Sequence, residues 1–196
     1  MNLIKFLYFY FLFHFMRLFV AIDLEELKDY FAEIQKQIPS DIAKLKPVKS
    51  FHLTLKFLGE SDKTEEIKHA LSKTEFDQFK LKLAKKLGVF PSEGYIKVIW
   101  IGLEGDDELK SLQRQIEEGL EHFHLRKDFE FTPHLTLARV KFISNKPEFL
   151  KKLKDIEIEP KEVLIKEFKL IKSELTREGP IYTELGAFKS RKSALP

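Results

Sequence analysis

One tetrapeptide occurs twice, and any fold this chain adopts has to house both copies. His52-Leu53-Thr54-Leu55 lies in SFHLTLKFLG, and His134-Leu135-Thr136-Leu137 lies in TPHLTLARVK, 82 residues later. Each copy is flanked by apolar residues and reads as a β-strand. Side chains alternate faces along a strand, so the histidine and threonine share one face and the leucines take the other. The chain therefore presents an imidazole with a hydroxyl twice, each on a strand with an apolar back. Laid side by side, the two strands bring four polar groups to one spot. Two imidazoles can serve as acid and base, and two hydroxyls can hold the oxygens of an anion.

The copies carry their context with them. MRLFVAIDLEELKDYF (16–31) and KVIWIGLEGDDELKSL (97–112) share a layout of apolar strand, acidic cap region and helix. The first helix stripe runs Leu24, Leu27, Phe31, Ile34, Ile38, and the second Leu109, Leu112, Ile116, Leu120, Phe123, at helical spacing. Asp23 is the expected N-cap of the first helix, with Glu26 in capping-box position. Strands are expected over 16–23, 51–58, 79–90, 95–103, 134–142, 161–175 and 181–188, and helices over 62–73 and from Asn145 to Leu153. The stretch between Pro39 and Pro47 reads as a connection. The fold implied is α+β: two αβ lobes related by an approximate two-fold, with mainly antiparallel sheets facing a central cleft and helices outside. Residues 16–189 form this single bilobal domain, followed by a frayed tail at 190–196.

The whole chain sets only loose bounds on partners. Its 196 residues are 43% hydrophobic and 33% charged, with a net charge of +3 and no cysteine. That composition suits a soluble globular protein without disulfides or thiolate metal sites. The mild positive charge permits an anionic partner without requiring one. Residues 1–15 are almost wholly apolar and stand apart. Lys5, His14 and Arg17 interrupt the run as a membrane span, and no small-x-small cleavage site follows it. It reads as a leader outside the fold, upstream of a natural start at Met16. A cytoplasmic monomer without a membrane contact is expected.

The paired motif suggests displacement at phosphorus. One neutral imidazole activates water while the other, protonated, serves the leaving oxygen; the hydroxyls of Thr54 and Thr136 hold the non-bridging oxygens. No metal and no cofactor is needed. Arg139 is a further candidate, because a guanidinium binds phosphate bidentately. In an unbroken strand, however, it stands an odd number of residues from His134 and points away with the leucines. A bulge or a strand end would re-aim it; from periodicity alone, a phosphate ligand and a surface arginine are equal readings. His122-Phe123-His124 has zinc-binding spacing but reads as a solvated helix terminus, and His69 as structural. Phe90, Tyr95, Trp100 and Tyr182 have the chemistry to stack on a base but read as core.

With these motifs in place the sequence resembles the two-histidine (2H) phosphoesterases, above all the RNA 2′,3′-cyclic phosphodiesterase branch, also called the 2′-5′ RNA ligase or LigT/ThpR type. The resemblance runs from Met16 to about Phe188, through MRLFVAIDL, HLTLKFLGE, GVFP, VIWIGL, PHLTLARVKF and SELTREGPIYTEL. It implies metal-independent opening of a 2′,3′-cyclic phosphate at an RNA end, such as a tRNA half, to a 2′-phosphate. His52 would then protonate the departing 3′-oxygen, His134 would activate water, and Thr54, Thr136 and Arg139 would hold the phosphate. Reversal would join RNA ends through a 2′-5′ linkage. Two alternatives remain at this level: the same chemistry on another cyclic or 2′-5′ nucleotide, and a non-catalytic RNA-binding module.

Overall fold

The computed structural model describes residues 16–105, 107–123, 131–176 and 179–191. The leader, His124, and Arg177 and Glu178 of the last turn lie outside the described residues. Among those described are nine strands: β1 Met16–Asp23, β2 Ala43–Pro47, β3 His52–Ser61, β4 Phe79–Ser92, β5 Tyr95–Gly105, β6 His134–Ile143, β7 Glu162–Ile165, β8 Glu167–Leu175 and β9 Pro180–Lys189. Four α-helices accompany them: α1 Lys28–Gln37, α2 Thr64–Leu71, α3 Asp107–Gly119 and α4 Lys146–Lys154.

The strands run β7-β4-β5-β6-β3-β1-β8-β9 across one sheet, with β2 added on β6. The order makes the internal repeat visible. On one side β5 and β6 sit inside β4 and β7; on the other β1 and β3 sit inside β8 and β9. All ladders are antiparallel. The two halves meet at β3 and β6, so the two HLTL strands form the seam.

One apolar core lies on the helix side of the sheet. Leu18, Val20 and Ile22 of β1, Leu53 and Leu55 of β3, and Leu135 and Leu137 of β6 pack with Phe31 of α1, Ile67 of α2, Leu112 and Ile116 of α3 and Phe149 of α4. The helix stripes read from the sequence supply these contacts. A second, small cluster of Phe19, Ala21 and Ile171, flanked by Tyr182, lies apart from that core. Strand β1 is thus buried on both faces, which is why its sequence is a continuous apolar run rather than an alternation.

Three local readings are corrected. Residues 43–47 are an edge strand rather than part of a connection. The expected strand over 161–175 breaks at Lys166: β7 pairs with β4 and β8 with β1, so the chain passes from one half to the other there. The first helix opens with a 3-10 turn at Glu25–Leu27, and Asp23 Oδ1 accepts from the Glu25 N–H at 2.8 Å. Glu25, not Glu26, reaches away, accepting from the Phe51 N–H at 2.6 Å and tying the helix start to the HLTL strand. Asn145 caps α4, its side chain accepting from the Glu148 N–H. Past β9, Ser190 and Arg191 are still bound to Lys166 and Phe76 by backbone hydrogen bonds.

Candidate functional site

The HLTL segments are strands, and they pair with each other. The antiparallel bridge joins Leu53 to Leu135. Continued one residue each way, that register sets His52 opposite Thr136 and Thr54 opposite His134. Each imidazole is therefore beside the hydroxyl of the other half. All four leucines of the motifs are buried among the helices, while His52, Thr54, His134 and Thr136 are half-buried on the other face.

The aim of Arg139 is settled by a bulge. In the β5–β6 ladder Gly102 faces His134 and Trp100 faces Thr136, but the register then slips, so that Ile99 faces Ala138 and Val98 faces Arg139. Leu137 has no partner in that ladder. Gly102, Trp100 and Val98 are two apart and share a face, so His134, Thr136 and Arg139 share it too. Lys46 of β2 stands opposite Arg139 on its other side. The first motif carries the same irregularity: Asp23 faces His52, Ala21 faces Thr54 and Phe19 faces Phe57, with Leu55 skipped. Phe57 thus holds, in the first half, the place of Arg139 in the second. It is 58% exposed, an unusual placing for a phenylalanine.

Aromatic rings frame both histidines. The His52 ring lies 5.1 Å from Phe19 and 5.2 Å from Tyr182, the latter edge-on. The His134 ring lies 4.9 Å from Phe90 and 5.9 Å from Trp100, which stack on each other at 4.8 Å. Gly88 makes this stack possible, because a Cβ there would overlap the Trp100 indole. Sequence reading set Phe90, Trp100 and Tyr182 aside as core. The sheet pairing places one of them: Trp100 stands two before Gly102, on the face that opposes His134. Tyr95 is different; it is exposed and carries the Lys97 ammonium over its ring.

The two imidazoles sit in different surroundings. Burial is the main cause that lowers the His52 pKa to about 4; His134 adds to the lowering, and Asp23 works against it. His52 is therefore neutral at neutral pH. His134 Nδ1 lies 2.7 Å from the Thr132 carbonyl oxygen. A carbonyl only accepts, so Nδ1 carries the proton and Nε2 is left as the nitrogen available to a ligand. Burial raises the Tyr182 phenol above its ordinary range, although Arg139 pulls the other way; the hydroxyl stays a donor. On the His52 side, burial works against the charge of Lys169, but hydrogen bonds to Asp23 and Glu184 outweigh it and hold its pKa above the usual value.

All five sequence-predicted site residues, His52, Thr54, His134, Thr136 and Arg139, thus fall on one face around the seam. His122 lies in a 3-10 turn at Glu121–Phe123 and packs on Phe123; His69 lies on α2. Among the described residues no group of three or more His, Asp or Glu side chains is placed to hold a metal ion, and no helix is long and apolar enough to cross a membrane.

The chain is similar to known proteins in sequence and in fold. The sequence model of the 2′-5′ RNA ligase superfamily matches residues 23–177. The chain is 41% identical over 172 residues to an RNA 2′,3′-cyclic phosphodiesterase of Methanocaldococcus jannaschii, covering 85% of this chain and 96% of that protein. It is 32% identical over 182 residues to an RNA 2′,3′-cyclic phosphodiesterase of Methanothermobacter thermautotrophicus, covering 89% and 98%. Among solved structures it superposes on E. coli LigT in apo form with a TM-score of 0.71 and 25% identity, over 91% of this chain and 99% of that one. LigT complexed with 3′-AMP superposes at 0.70, with 25% identity and the same coverage.

Proposed function

The chain belongs to the 2′-5′ RNA ligase superfamily, and from that premise we propose that it is an RNA 2′,3′-cyclic phosphodiesterase whose catalytic groups are His52 and His134. The observation that carries this reading is the Leu53–Leu135 pairing, which puts both imidazole–hydroxyl pairs on one face at the seam of two similar halves.

In the reaction, water attacks phosphorus in line with the P–O3′ bond. His134 Nε2 takes a proton from that water, the P–O3′ bond breaks, and His52 gives a proton to O3′. The products are a 2′-phosphate and a free 3′-hydroxyl. His134 ends protonated and His52 neutral, and exchange with solvent resets both. Thr54, Thr136 and Arg139 hold the non-bridging oxygens, where charge accumulates in the transition state. Burial holds the His52 pKa low, at about 4. A phosphate anion between Arg139 and the threonines adds negative charge beside the ring and raises it, so the substrate itself equips His52 as an acid. With the 5′-hydroxyl of a second RNA end in place of water, the same displacement forms a 2′-5′ bond: His134 takes the proton of the attacking hydroxyl, the P–O3′ bond breaks, and His52 again gives a proton to O3′.

The names of the relatives support the substrate class, and LigT complexed with 3′-AMP supports a nucleotide phosphate in the cleft. We place the activity in residues 16–189 acting as one bilobal domain, in a cytoplasmic monomer whose RNA ends include tRNA halves. The test is hydrolysis of nucleoside 2′,3′- and 3′,5′-cyclic phosphates in EDTA, with products resolved by chromatography. Opening of the 2′,3′-ring alone, to the 2′-phosphate, is expected. Salt-sensitive RNA binding without turnover would identify a binding module instead.

A further inference from the structure

A pocket of about 200 Å³ opens beside His52 and is used by none of the phosphate-holding groups. Its lining includes Asp23, Glu25, His52, Lys169, Tyr182 and Glu184. Three carboxylates against one ammonium make it an acidic hollow, and Lys169 is already engaged by Asp23 at 2.9 Å and by Glu184 at 3.0 Å. Phosphate is repelled there. A neutral group rich in N–H or O–H donors is favoured. The volume is below the ~300 Å³ at the lower end of small-ligand sites, so it admits one ring system rather than a dinucleotide.

We propose that this pocket receives the nucleobase of the cyclic-phosphate nucleotide, with Tyr182 as its apolar wall and Glu184 accepting from an exocyclic amine. The inference rests on the phosphodiesterase reading through one stereochemical step. His52 serves O3′, O3′ stays on the ribose after the ring opens, and the attacking water enters from the opposite side. The nucleoside therefore lies on the His52 side of phosphorus, where the pocket is. The Tyr182 ring stands nearly perpendicular to His52, with centroids 5.2 Å apart, and packs on Phe19 at 5.4 Å, so two neighbours hold it in place. Both carboxylate oxygens of Asp23 are occupied, by the Glu25 N–H and by Lys169. Glu25 Oε1 is occupied by the Phe51 N–H. Glu184 is half-exposed and binds Lys169 through Oε2 alone, which leaves Oε1 as the acceptor available at the rim. Cytosine, with an amine at C4, satisfies it; uracil, the same size with a carbonyl there, opposes it.

The test is kcat/KM for cytidine and uridine 2′,3′-cyclic phosphates with the wild-type chain and with Glu184→Leu, together with binding of the products 2′-CMP and 2′-UMP to the wild type by calorimetry. A charge-assisted hydrogen bond gives the cytidine substrate an advantage of roughly ten-fold or more, repeated in product binding, and Glu184→Leu brings the ratio to about one. Circular dichroism checks that the variant is folded, and Glu184→Gln, which keeps one acceptor oxygen, retains part of the preference. Hydrolysis of both substrates at equal rates, or a preference untouched in Glu184→Leu, overturns the base pocket and leaves the phosphodiesterase standing. Failure to hydrolyse either substrate overturns the phosphodiesterase reading, and the 2′-CMP to 2′-UMP affinity ratio still decides the pocket: a ratio near one overturns it.

Discussion

The two halves of the site repeat each other in backbone and differ in chemistry. Each offers histidine, then threonine two residues on, then a skipped leucine, then a residue re-aimed onto the same face. In the second half that residue is Arg139, a cation suited to phosphate; in the first it is Phe57, apolar and exposed. The second-half histidine is oriented by a backbone carbonyl, whereas the first-half histidine is buried between rings and driven neutral. A perfectly symmetric site would handle either face of a phosphodiester alike. Here the shared backbone brings two imidazoles to one place, and the differing neighbours give each its own task. The bulge lets a duplicated strand do this, because it turns the fifth residue inward without disturbing the leucine face.

The largest effect expected is from removing either imidazole. His52→Ala and His134→Ala each lower kcat for 2′,3′-cyclic nucleotide opening by ~10² to 10⁴-fold in EDTA. Full activity in either would break the comparison at its root. Next comes the pair that differs. Arg139→Ala is expected to lower kcat/KM by ~10²-fold and Arg139→Lys to restore only part of it, since one point charge does not replace a bidentate contact. Phe57→Ala costs far less; equal losses at the two positions would contradict the assignment of the phosphate to the arginine side.

The low pKa of His52 is read out by stability against pH. An unfolded histidine takes up a proton near ~6.5, whereas folded His52 refuses it until pH falls to about 4. The unfolded state binds more protons in that window, so stability falls as pH drops through it and is unaffected by this group above it. Urea midpoints at pH 7 and pH 4.5 should differ less in His52→Gln than in the wild type. A smaller effect tests the seam itself. Lys56, just past the skipped leucine, is buried and binds Glu117 of α3 at 2.6 Å. Glu117→Ala leaves that ammonium without its partner and should cost about 1–3 kcal/mol of stability, while Lys56→Met should recover most of it; both are measurable by denaturant titration.

Much of this was legible in the chain. The repeated tetrapeptide, its strand parity and the paired helix stripes gave the two halves and put His52, Thr54, His134 and Thr136 on one face. What escaped had physical reasons. The aim of Arg139 depends on which residue a ladder skips, and a two-residue period carries no mark of that. The break at Lys166 is a change of partner, invisible to a pattern that alternates on both sides of it. Strand β2 has only β6 beside it and is rich in lysine, so its sequence looks like a loop. Phe90, Trp100 and Tyr182 have the composition of core residues, and only the sheet order shows that they surround the histidines.

Catalysis requires the two imidazoles to act as one unit on one phosphorus atom, and a double-mutant cycle measures that directly. Hydrolysis of a nucleoside 2′,3′-cyclic phosphate in EDTA is compared for the wild type, His52→Ala, His134→Ala and the double variant. Groups that act together are grossly non-additive, so the double variant should fall within about ten-fold of the slower single variant. Losses that multiply would mean that the histidines serve separate events, and the shared phosphate would have to be abandoned.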